Sequence, residues 1–170
     1  MFPESKVLVK AAAPIAGIAG FITIAYSLIS VVYMFLGSTY EILNTIITLS
    51  AYATYIGFFS LYIWGGHKVA KEQGLDPFGA GVVTAVSHLF AGFLTLIIGI
   101  LFELLLVLKI FKASNFPAAE PTVVLALFGD LSGVGGLLIE GVCWAGLIVL
   151  GALINFAIGA IGGIIAHRGK

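Results

Sequence analysis

The sequence predicts an all-α integral membrane fold: a four-helix bundle made of two helical hairpins, with a short re-entrant or interfacial helix before the last span. Three observations predict it. Of 170 residues, 61% are hydrophobic and 9% charged, with a mean hydropathy of +1.17, whereas a soluble domain carries about 25% charged residues. Apolar stretches able to cross a bilayer, which takes roughly 20 residues each, occur four times. The polar segments between them are short, apart from one glycine- and proline-rich stretch over residues 112–136.

The first span is expected over residues 11–36. The charged N-terminus before it resembles a leader, but the apolar run far exceeds the 7–15 residues of a secretory core, so it reads as a retained helix. Pro14 falls in its first turn, where a missing N–H costs nothing. Gly37-Ser38-Thr39 then makes a tight turn. The second span, residues 40–64, is expected to stop at the glycine pair Gly65-Gly66. Tyr62 and Trp64 read as interface anchors beside the polar loop 67–77. In that loop, Gly74-Leu75-Asp76-Pro77 reads as a turn followed by the start of the third helix.

The third span is placed at residues 78–108. Its apolar stretch continues to Phe111, about 34 residues or roughly 50 Å of helix, against roughly 30 Å of hydrocarbon, so it must tilt or project. Residues 112–136 then hold Pro117, Pro121 and a glycine cluster around an apolar run, Thr122 to Phe128, that is too short to span. The last span, residues 137–166, closes on His167-Arg168-Gly169-Lys170.

Lysine and arginine set the orientation. Lys6, Lys10, Lys68, Lys71, Arg168 and Lys170 lie on one side and Lys109 and Lys112 on the other, which places both termini in the cytoplasm of a multi-pass cell-membrane protein. The Gly-Gly pairs before His67-Lys68 and His167-Arg168 echo each other. Glycine and basic residues are common at cytoplasmic helix ends, which explains the echo as well as a duplication does.

A net charge of zero leaves no basic field for nucleic acid. Cys143 stands alone, and His67, His88 and His167 are scattered, so no disulfide, metal site or cofactor is implied. There is no metalloprotease, nucleophile-elbow, phosphate-loop or dinucleotide motif, and Ser132 in Gly129-Asp130-Leu131-Ser132-Gly133 has the wrong spacing for a nucleophile. Enzymatic chemistry is therefore not expected.

Function, if local, should sit where polar and small residues share a helix face. On the third helix, Gly81, Thr84, Ala85, His88, Gly92, Thr95, Gly99 and Glu103 form such a stripe; on the fourth, Glu140, Trp144, Gly151, Asn155, Gly159 and Gly162 do, with Gly163 continuing a small-xxx-small spacing. Small residues let membrane helices approach closely, so these two faces are expected to pair. Depth counted from the helix ends puts His88 beside Asn155 near mid-membrane, with a hydrogen bond fixing register, and Glu103 beside Glu140 near the outer surface, within reach of Lys109 and Lys112. Hydroxyl and aromatic stripes mark the first two helices: Thr23, Tyr26, Ser30 and Tyr33, then Thr45, Thr48, Tyr52, Tyr55 and Phe59.

The expected function is association: a non-catalytic multispan protein that acts as a homo-oligomer or as a small subunit of a membrane complex, with the lipid bilayer as its other partner. The alternative is a small ion or proton channel or transporter using His88, Asn155, Glu103, Glu140 and Asp130. In that alternative the glycines around Asp130 follow a re-entrant helix and line a pore.

Overall fold

A computed structural model describes residues 4–36, 41–107 and 134–168, with side chains described throughout except at positions 5, 31, 34–36, 41, 102–107 and 134–140. Among the described residues the chain is helical: α1 (Ser5–Leu36), α2 (Glu41–Gln73), α3 (Pro77–Val107) and α4 (Val134–Arg168). All four are long and apolar enough to cross a bilayer, with mean hydropathies of 1.9, 1.5, 2.0 and 2.3 over their candidate spans. Large apolar side chains face outward on every helix, among them Phe21, Ile56, Phe90 and Leu153. In water such a surface would aggregate; in lipid it is the solvated face. The chain is thus a multi-pass membrane protein. The predicted re-entrant segment lies largely outside the described residues.

Two helix boundaries differ from expectation. α1 begins at Ser5 rather than near Ala11, which puts Pro14 inside the helix, where it removes one backbone bond. The larger difference is in α2, which runs through Gly65-Gly66 to Gln73. The glycine pair reads locally as a stop, yet its role is set by a neighbour about ninety residues away. A Cβ at Gly66 would fall on the carbonyl oxygen of Gly159, and one at Gly162 on the carbonyl oxygen of Ile63 and 2.9 Å from the His67 nitrogen. α2 and α4 meet backbone to backbone along this seam, and a side chain at either glycine would drive them apart.

The true stop comes later. Gly74 takes a left-handed φ of 66° just past the end of α2, a conformation glycine adopts without steric cost. Asp76 then caps α3: its Oδ1 accepts from the Gly79 N–H at 2.7 Å and its carbonyl from the Ala80 N–H at 3.0 Å, with Pro77 in the first-turn position that tolerates it. The sequence reading of this turn holds.

α3 and α4 share the most extensive interface, followed by α2 with α4, α1 with α3 and α1 with α2. Position by position, Gly163 faces Pro77, Gly81 faces Phe156, Gly151 faces His88 and Gly92 faces Ile148, so α3 and α4 run antiparallel. The core is built from small side chains, including Ala11, Ala12, Ala19, Ala70, Ala80 and Ala91, filled in by Ile15, Val83 and Tyr62. It lies in the half of the bundle that holds both termini.

Candidate functional site

The deepest polar groups gather where α2, α3 and α4 meet. Tyr62, expected at the membrane interface, is fully buried. It belongs to the stripe that contains Phe58, Gly66 and Val69 at helical spacing, so its ring turns inward with them. Its hydroxyl lies 3.2 Å from His88 Nδ1, with the two rings edge-on at 5.8 Å and Phe58 stacked on Tyr62 at 6.0 Å. The tyrosine donates when the imidazole proton sits on Nε2 and accepts when it sits on Nδ1. On the far side of the ring, Nε2 occupies the place a Cβ on Gly151 would take. The imidazole of α3 thereby touches both α2 and α4.

The expected pairing of His88 with Asn155 is not formed. Asn155 sits one turn lower, opposite Thr84, and its Nδ2 donates to the Gly151 carbonyl of its own helix at 2.9 Å. The register differs because α4 continues past Gly163, the residue that faces Pro77, to Arg168; matching depth from the helix ends therefore slides α4 by a turn. Thr84 makes the interhelical bond instead, its Oγ1 donating to the Asn155 carbonyl at 2.8 Å. It also lies within 2.9 Å of the Gly81 carbonyl and fills the space at Gly159.

Ser87, which the sequence did not single out, is fully buried and stands 2.8 Å from the Val83 carbonyl and 3.2 Å from the Ala12 carbonyl of α1. The signal was available: Ser87 continues the small stripe Ala80, Val83, Ala91 on the α1-facing side of α3. One helix thus presents two adjacent small faces, one toward α4 and one toward α1. No buried side-chain nitrogen or oxygen among the described residues lacks a partner.

The remaining candidates separate. A Cβ at Gly99 would meet nothing within 4 Å. Glu103 and Glu140 lie on α3 and α4, but their side chains fall outside the description, and Asp130 lies outside the described residues altogether. Among the described residues no three His, Cys, Asp or Glu side chains come together as metal ligands do.

Chemically, the Tyr62–His88 and Thr84–Asn155 groups act as ties. Each of these side chains makes a hydrogen bond within or between helices, where hydrocarbon offers no alternative partner. No family model, curated protein or solved structure matches the chain.

Proposed function

We propose that this chain is a non-catalytic membrane protein that works by association, as a homo-oligomer or as a small subunit of a larger membrane complex, through the outer face of α2. One observation carries the reading. Within an 18-residue apolar stretch of α2 only 11% is buried inside the bundle, against 28–33% in the corresponding stretches of the other three helices. That uncovered face is not purely aliphatic: Tyr52 and Tyr55 are 64% and 73% exposed, and neither hydroxyl has a partner among the described residues. Counted from Trp64, with the Lys68 ammonium 4.8 Å above its indole as at a membrane interface, Tyr55 and Tyr52 sit about 14 and about 18 Å along the helix into the hydrocarbon. A hydroxyl at that depth gains most from an acceptor on another protein helix. The basic residues favour both termini on the cytoplasmic side.

Native mass spectrometry from nanodiscs tests the reading. A defined oligomer, or one stoichiometric membrane partner, is expected, and it should weaken when Tyr52 and Tyr55 are both changed to Phe. A clean monomer with no co-purifying protein overturns it.

A further inference from the structure

A second feature of α2 lies nearer the chain termini. Gly66 and Gly162 bring α2 and α4 together so closely that the seam is floored by backbone. Phe59, Ser60, Ile63, Trp64 and His67 on one side and Ile165 on the other wall a surface crease along it. Its lining is mostly apolar, with Ser60, His67 and the Trp64 indole N–H as its polar groups.

Just beyond its mouth stand three cations at helical spacing from the lining. Lys68 follows Trp64 by four residues and is held over its ring; Lys71 follows His67 by four; Arg168 follows Ile165 by three. Glu72 is the acidic neighbour on α2, yet neither it nor any other carboxylate among the described residues pairs with Lys68, Lys71 or Arg168. Cations without a carboxylate partner beside a mostly apolar crease complement one class of molecule: a lipid with an anionic headgroup and a hydrocarbon tail.

We infer that this crease binds an anionic phospholipid of the bilayer, with the acyl chain against Phe59, Ile63 and Ile165 and the phosphate at Lys68, Lys71, Arg168 and His67. The site is independent of the association proposed above, since it lies on the α2–α4 seam and is complete within one chain.

Native mass spectrometry of the purified protein with phosphatidylglycerol or phosphatidylcholine added in mild detergent tests it. A discrete phosphatidylglycerol adduct is expected, with phosphatidylcholine binding much weaker. Substituting Lys68, Lys71 and Arg168 by Gln should weaken the adduct about fivefold per cation, about a hundredfold together. K6Q with K10Q removes charge from α1, which does not border the crease, and should leave binding unchanged. S60W fills the crease from an exposed position without touching charge and should also abolish the adduct. Thermal unfolding in neutral detergent confirms that each variant is folded. Equal binding of the two lipids, equal loss in the α1 control, or competition by free glycerol phosphate as strong as by whole lipid would each overturn the assignment.

Discussion

The half of the bundle that holds the termini and the opposite half differ in what fills the space between helices. In the first, alanines and glycines bring backbones together, and Tyr62, His88, Thr84, Ser87 and Asn155 bond across or along the contacts. In the second, α1 and α2 carry Leu28, Val32, Ile42, Ile46 and Leu49 with outward exposure, and no side chain of α2 described between Ile42 and Ser60 is buried. Ser30 and Thr48 there turn back on their own helices, to the Tyr26 and Asn44 carbonyls, whereas Tyr33 donates to Asn44 Oδ1 at 2.6 Å. The open half is the more hydrophobic of the two, as residues 21–36 and 93–107 show beside residues 5–20 and 77–92. Hydrophobicity therefore does not decide where a membrane bundle packs: lipid is as apolar as leucine, and close fit supplies the difference.

Substitutions can break this contrast. The largest effect is expected at Tyr62→Ala, which empties the centre of the packed half and strips His88 of its partner; a loss of about 3–5 kcal/mol is expected, read as a fall in unfolding temperature in detergent or by steric trapping in bicelles. The matched change in the open half, Leu49→Ala, should cost less than about 0.5 kcal/mol. Equal losses at the two positions would erase the distinction.

Glycine sharpens it next. Gly66→Ala sets a methyl group against the Gly159 carbonyl and should cost about 1–3 kcal/mol as the seam opens. Gly17→Ala and Gly99→Ala meet open space and should be neutral, or stabilising by up to about 1 kcal/mol. The same stability assay decides, and a harmless Gly66→Ala would mean that the seam contributes nothing.

Smaller effects come from single polar bonds. Tyr62→Phe and Thr84→Val each remove one interhelical hydrogen bond while keeping most of the side-chain volume, at about 1 kcal/mol apiece in a bilayer. His88→Asn, tested in sealed vesicles, separates a tie from a pathway: lowered stability with no proton flux above empty liposomes in either protein is the expected result, and a flux lost in the variant would favour the transport alternative.

Much of this architecture was readable from the chain. Hydropathy gave all four spans, and local chemistry at Gly74, Asp76 and Pro77 marked the start of α3, because a left-handed glycine and an N-cap act within a few residues of themselves. The readings that failed depended on a distant partner. Gly65-Gly66 carries the same local signal whether it ends a helix or admits another one, and only Gly159 and Gly162 distinguish the two. Tyr62 lies close to Trp64 in sequence and reads with it, although two positions of helical rotation, about 200°, separate an exposed indole from a buried phenol. His88 was recognised as a costly residue, but its partner was missed because helix ends are a poor ruler for depth when α4 runs beyond the start of α3.

The seam at Gly66, Gly159 and Gly162 has a mechanical corollary. Where two rods touch at one end and stand apart at the other, the contact is a fulcrum, and any small change in their crossing angle grows in proportion to distance along them. Glycines make the fulcrum thin, with no interdigitated side chains to resist rotation. A change at the membrane surface beside the termini would therefore be largest at the opposite end of α2, where no described side chain is fully buried.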